Sequence, residues 1–235
     1  MVTSTERRRV GMLAPMQHEL VPIVRRLNLD GDGSVYHGQA GDLDVVAMLT
    51  NIGMAAGADA ARRLLELDVD WVMVVGIAGG VDPNVVKIGD VIVPDAVVDR
   101  ATGTTFHPAA VGGGGPRGVL SCGDDLITDP ARLAEMPTDG VIAVDMETAA
   151  VAAVCDEAEC PWSVFRSISG YAGGGLIDAG LFAMTRPDGT ADPEAVERYL
   201  QENPDRIAVL TQLAQDMTVA TEAAAEAAIQ SCATL

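Results

Sequence analysis

Short runs in which nearly every position is apolar, many of them β-branched, recur along the first two thirds of the chain at residues 10–13, 45–49, 71–75, 91–93, 141–144 and 163–168. A strand covered on both faces must be apolar on both sides, so these runs predict strands of a sheet buried between two layers. Between some of them lie helix-like stretches: residues 53–67 (GMAAGADAARRLLEL) and 146–158 (METAAVAAVCDEA) each follow one strand and precede another. The C-terminal part, 192–229, is helical by composition, with Pro193 in a first turn after Asp192 and an Ala/Glu/Gln-rich finish. This alternation predicts a layered α/β domain with a mainly parallel or mixed sheet. The four glycines at 112–115 predict a mobile surface loop.

Composition narrows the picture. With 235 residues, 49% of them hydrophobic, and no linker-like stretch, one domain spanning residues 1–235 is expected. Fifteen Lys and Arg against 34 Asp and Glu give a net charge of −19, and the one dense basic run is Arg7, Arg8 and Arg9. Such a surface repels a phosphate backbone, which disfavours nucleic acid as a partner. Cys122, Cys155, Cys160 and Cys232 form neither a CxxC pair nor a tight disulfide framework and read as reduced thiols. No apolar stretch reaches the roughly 18 residues of a membrane span. The N-terminus lacks the apolar core of a signal peptide, so a cytoplasmic protein without a membrane partner is expected. His18, His37 and His107 have no metal-ligand spacing, and no cofactor is expected.

Ligands of open α/β sheets bind where strands end, so the residues after each run are the candidates for chemistry. After the first strand, 14–20 (APMQHEL) places Glu19 in the first turn of a helix, where the N-terminal dipole favours an ionised carboxylate that could act as a base. The same position also suits a solvent-facing acid that does no more than match the dipole. The run 74–81 (VVGIAGGV) ends in glycines that let a ligand approach the backbone, or that serve a tight turn; Gly76, Gly79 and Gly80 lack dinucleotide-site spacing. In 144–150 (VDMETAA), Glu147 could accept hydrogen bonds from sugar hydroxyls while Met146 offers an apolar surface. In 165–175 (FRSISGYAGGG), Arg166 lies inside an apolar strand and calls for a carboxylate, with Glu147 and Glu19 as candidates.

Taken together, APMQHEL, VVGIAGGV, VDMETAAVAAVC and RSIS resemble, in chain order, the nucleoside phosphorylase and nucleosidase superfamily. They are most similar to the 5′-methylthioadenosine/S-adenosylhomocysteine nucleosidases, which read roughly GAMEEEV, GSAGG, VEMEATA and RAISD at these places. The resemblance implies a three-layer α/β/α sandwich with a central mixed β-sheet, and a small purine nucleoside as substrate. It makes Glu19 the match of the water-activating glutamate and Glu147 that of the ribose-holding acid. Met146 then packs on the sugar, and Ala78 and Gly79 lie beside the base and nucleophile. Leu126 and Ile127, in GDDLIT, match the segment that sandwiches the purine. Phe106, in TTFHPA, matches an aromatic that caps the partner subunit's site, which implies a homodimer.

One departure stands out. The family's RAISD ends in the aspartate that protonates N7 of the purine, and here that place is Gly170. A second family aspartate corresponds to Gly173, and Asp178 is the nearest replacement in sequence. The chain is thus a weakened or inactive relative, an active-site variant, or an enzyme whose acid comes from elsewhere. Phosphorolysis needs a cationic cradle, whereas residues 71–75 carry no cation and Glu19 would repel an anion, so water is favoured as nucleophile. The alternatives are a nucleoside-binding relative without turnover and a purine nucleoside phosphorylase.

Overall fold

The computed structural model describes residues 7–112, 115–127, 129–173 and 179–235. In chain order the elements begin with β1 (Arg9–Ala14), α1 (Gln17–Leu27), β2 (Asp30–Gly31), β3 (Val35–Ala40), β4 (Leu43–Leu49), α2 (Met54–Leu65) and β5 (Trp71–Gly80). The middle of the chain forms β6 (Val91–Ile92), β7 (Ala96–Asp99), β8 (Thr105–Phe106), β9 (Val119–Cys122), α3 (Pro130–Glu135), β10 (Val141–Asp145), α4 (Thr148–Glu157) and β11 (Trp162–Tyr171). Helices α5 (Ala179–Ala183), α6 (Pro193–Glu202) and α7 (Ile207–Ser231) complete it.

The strands form one mixed sheet in the order β2-β3-β4-β1-β5-β10-β9-β7-β8, with β11 pairing with β5 and β6 pairing with β11. β5 organises it. Its first half runs parallel to β1, its last residues pair antiparallel with β10, and β11 runs parallel to it from Trp162 opposite Val72 to Tyr171 opposite Gly80. Alternate residues of each central strand feed two separate cores, as the period of two requires. On one face Leu13, Val46, Val72, Val74 and Val164 meet Ala60, Ala61 and Leu64 of α2 and Val151, Ala152 and Cys155 of α4. On the other, Val10, Met12, Val45, Met73, Val75 and Phe165 meet Leu20 and Ile23 of α1 and Ala224, Ala225 and Ala228 of α7. Burying each large aliphatic side chain is worth about 1.5–3 kcal/mol, and helices on both faces allow nearly every position of the inner strands to contribute. The expected three-layer sandwich is the observed one. α2 lies so close to the sheet that a Cβ on Gly11 would fall 2.3 Å from Leu64 Cδ2.

Three expectations about elements are corrected. The glycines after Val75 form no turn: Gly76, Gly79 and Gly80 stay in β5, because β11 and β10 continue to pair with it there. The C-terminal helical stretch is two helices, since Pro204 lacks the N–H that would continue α6 and disfavours a helical Asn203; a short 3₁₀ turn at Pro204–Arg206 joins them. Met146 and Glu147 precede α4, with Glu147 as its N-cap. Of the four-glycine stretch, residues 113 and 114 lie outside the described residues. No described helix is long and apolar enough to cross a membrane.

Candidate active site

The site grows from the carboxyl ends of β1, β5, β10 and β11. Arg166 lies on the α2/α4 face of β11, opposite Gly76 in the parallel register with β5. It is one of the largest fully buried side chains, 1% exposed, and a guanidinium cannot be so placed without partners. Both candidate partners are there, and a third that sequence reasoning missed. Nη2 lies 2.6 Å from Asp145 Oδ2 and 2.9 Å from Glu147 Oε2, while Nη1 lies 3.5 Å from Glu19 Oε1. Asp145 ends β10 directly before Met146, so the strand-end rule that singled out Glu147 applied to it as well.

Each acid is held by backbone donors. Glu19 is at the third position of α1; its Oε2 accepts from Met16 N–H at 2.7 Å and its Oε1 from Ile77 N–H at 2.7 Å, which ties the helix start to the middle of β5. Glu147 Oε1 accepts from Gly53 N–H at 3.0 Å, just before α2. Asp145 accepts from the Thr148 hydroxyl. Burial pushes Glu19 from the ordinary 4.5 up to about 8, against the opposing pull of Arg166. Burial likewise raises Glu147 to about 7, with Arg166 opposing and Asp145 adding repulsion. A carboxyl with a pKa near neutrality can give up and take back a proton under working conditions, which suits acid–base chemistry.

Gly76 is what allows this cluster to close. A Cβ there would lie 2.2 Å from Glu19 Oε1 and 2.7 Å from Arg166 Nη1, so any side chain would displace the acid or the guanidinium. Gly57 of α2 packs in the same way under Glu147, with its ideal Cβ 3.2 Å from the Glu147 Cβ.

The other sequence candidates group at two places. Gly79 pairs with Gly170 across β5 and β11, just after a one-residue register shift between Ile168 and Gly170, and Ala78 is buried beside them. Around a Cβ on Gly170 no heavy atom of the described residues lies within 4 Å, so these leave room for a larger residue. Asp178 lies outside the described residues. Met146 lines a cavity of about 300 Å³ with Ile52, Gly53 and Asp124. Leu126 is exposed and Ile127 buried, after a turn that a second missed residue organises. Arg100 donates to the carbonyls of Ser121, Gly123 and Asp125 at 2.8, 2.8 and 3.0 Å, and its Nη2 lies 3.1 Å from Asp125 Oδ1. Its signal in the sequence was only a charged residue just past a short strand. Phe106, in β8, is half-buried at the sheet's edge and packs against its own chain's core.

Comparison with known proteins bears on what such a cluster does. A family model described as the phosphorylase superfamily matches residues 8–116 and 115–211. The chain belongs to this superfamily. Among its relatives, a 5′-methylthioadenosine/S-adenosylhomocysteine nucleosidase of Marinomonas sp. (strain MWYL1) is 27% identical over 201 residues, 70% of this chain and 86% of the relative. In three dimensions, the Helicobacter pylori 5′-methylthioadenosine/S-adenosylhomocysteine nucleosidase with butyl-thio-DADMe-Immucillin-A superposes with a TM-score of 0.72 at 17% identity, covering 97% of this chain and 99% of the other. The corresponding Neisseria meningitidis enzyme in complex with methylthio-immucillin-A gives 0.70 at 21% identity, covering 97% and 100%. At these identities the superpositions establish the fold.

Proposed function

We propose that this phosphorylase-superfamily chain is an N-ribosyl hydrolase that cleaves the glycosidic bond of a purine nucleoside of the 5′-thioadenosine type, releasing free base and sugar. The observation that carries the reading is the pair of buried carboxylates, Glu19 and Glu147, drawn to one Arg166 at the strand ends of the sheet. Glu19 activates water: it removes a proton as the water oxygen bonds to C1′, while the C1′–N bond breaks and its electrons leave with the base. Glu147, oriented by Gly53 N–H and Arg166, accepts hydrogen bonds from the ribose hydroxyls and favours the positive charge that develops on the sugar. Ala78, Gly79, Leu126 and Ile127 bound the base, and Met146 packs on the sugar. Water is favoured over phosphate because the cation that touches both acids is already shared by three carboxylates, leaving little positive potential for an anion.

In this reading residues 1–235 act as one domain, in the cytoplasm and as a homodimer with Phe106 at the neighbouring site. Gly170 in place of an acid makes departure of the base the slow step, so turnover is weaker than an acid at that position would give. The test is chromatographic measurement of free base from 5′-methylthioadenosine and adenosine, with and without inorganic phosphate. Phosphate-independent release that falls by a factor of about 10² or more in Glu19→Gln supports hydrolysis. Release that requires phosphate makes the chain a phosphorylase, and tight binding without release makes it a nucleoside-binding relative.

A further inference from the structure

The cavity beside Met146 is walled by two different parts of the chain. Ile52, Gly53, Asp124 and Met146 come from the sheet side; Phe182 comes from α5, and Thr185, Arg186 and Pro187 from the segment between α5 and α6. That segment is a built wall. Thr185 and Ala191 form a β-bridge, and Arg186 N–H donates to Thr190 O at 2.8 Å. Two main-chain bonds fasten it to the strand ends: Gln17 N–H to Asp188 O at 2.9 Å, and Ile52 N–H to Pro187 O at 2.8 Å. The glycine at its tip, Gly189, has φ +77°, and its ideal Cβ would lie 2.3 Å from Met16 Cγ, so the hairpin packs directly on the residue before α1.

Position defines what could enter. Gly53, whose N–H holds Glu147, lines the cavity together with Met146, so it begins where the ribose hydroxyls are held. None of Ala78, Gly79, Ile127 or Gly170, the base end of the proposed site, is among its described lining residues. A ribose carries its base on C1′ and its substituent on C5′, at opposite ends of the ring, so the space away from the base is that of the 5′ substituent. About 300 Å³ is at the small end of ligand cavities, enough for a chain of several carbons. Ile52, Met146, Phe182 and Pro187 are apolar, which suits such a chain.

Charge adds a further selection. Arg186 is the only cation among the described lining residues and Asp124 the only acid. Asp124 Oδ1 already accepts from Met54 N–H at 2.7 Å at the start of α2. Asp188, two residues from Arg186, uses its Oδ1 for Thr190 N–H at 3.0 Å and the Thr190 hydroxyl at 2.6 Å. Among the described residues no carboxylate lies within ion-pair distance of the Arg186 guanidinium, and Asp188, held first by its bonds to Thr190, feels the Arg186 charge only through space. In the nucleosidase reading the 5′ substituent lies in this cavity, and we infer that Arg186 selects a substituent ending in a carboxylate. The inference deepens the nucleosidase reading and rests on its placement of the ribose at Glu147.

Three adenosine 5′-thioethers of equal chain length, ending in a carboxylate, a methyl group or an amine, separate the possibilities. Binding is measured by calorimetry and base release by chromatography on the full chain. The carboxylate compound is expected to have the highest kcat/KM and the amine the lowest, with the preference shrinking as salt is raised, because Arg186 is exposed to solvent. Arg186→Gln should lower the carboxylate-to-methyl ratio by about tenfold, Arg186→Lys should retain most of it, and Arg186→Glu should invert it. A ratio unmoved by Arg186→Gln, or a preference for the amine, overturns the inference. Carboxylate-selective binding without base release keeps this inference and removes the hydrolase reading; base release without selectivity does the reverse. If none of the three binds, both fall.

Discussion

Arg166 carries one positive charge among three carboxylates, so full ionisation of Glu19, Asp145 and Glu147 would leave the buried cluster with a net charge of −2. Protonation relieves this, and burial accordingly holds Glu19 near 8 rather than 4.5. Between those two pH values the folded chain keeps a proton on Glu19 that the unfolded chain has released. Its contribution to stability is therefore complete below about pH 4.5 and is lost as pH rises through about 8. Urea denaturation of Glu19→Gln should show a flatter dependence on pH across this range than the native chain, with the two curves diverging most at the alkaline end. Catalysis runs in the opposite direction, since only the ionised form can take a proton from water. The native kcat/KM should rise towards about pH 8, and Glu19→Gln should lose a factor of about 10² to 10⁴. A flat pH profile for the native chain between 6 and 8.5 would separate Glu19 from the rate-limiting proton transfer.

At the scale of elements, the parallel pairing of β5 and β11 sets the spacing of the chemistry. Gly76 lies opposite Arg166, and Gly79 opposite Gly170, with the register shift between Ile168 and Gly170 separating the two places. Gly76→Ala puts a methyl group where Glu19 and Arg166 meet; it should cost about 1–3 kcal/mol of stability and at least 10² in kcat/KM, checked by denaturation and by base release. Gly170→Asp is the counterpart. No heavy atom of the described residues lies within 4 Å of its Cβ, so the side chain fits without a clash, but Gly170 is buried; the carboxyl should cost about 1–3 kcal/mol of stability while base release rises by about 10². A rate left unchanged would mean that the proton reaches the base by another route. The same pairing explains what sequence could reveal. The apolar runs of β1, β4, β5, β10 and β11 announce themselves because both faces are buried, and Glu19, Glu147 and Arg166 follow from strand-end positions and from the implausibility of an unpaired buried arginine. Strands β2, β6 and β8 have two residues each, too short for any periodicity to register. Arg100 was hidden for a different reason: its role depends on β7 and β9 lying side by side, a long-range pairing that local pattern does not encode, whereas Asp145 carries the same strand-end signal as Glu147.

For the whole molecule, Phe106 decides how strong the case for a homodimer is. It packs against its own core while β8 forms the end of the sheet, so a second subunit would have to meet that edge rather than rescue an exposed aromatic. Light scattering at micromolar concentration should give twice the chain mass, and Phe106→Ala should lower base release together with the dimer fraction; a monomer at full activity would exclude a shared site. Helix α6 stands apart from the rest. It buries no residue, in contrast to β11, where nine of the ten positions are buried. Local opening of α6 therefore exposes little apolar surface and needs only a small part of the global unfolding free energy. Its amides should exchange with deuterium by fraying while those of β5 and β11 await unfolding of the sheet, making α6 the stretch of chain that a protease or an inserted tag reaches with the least disturbance to the buried charges.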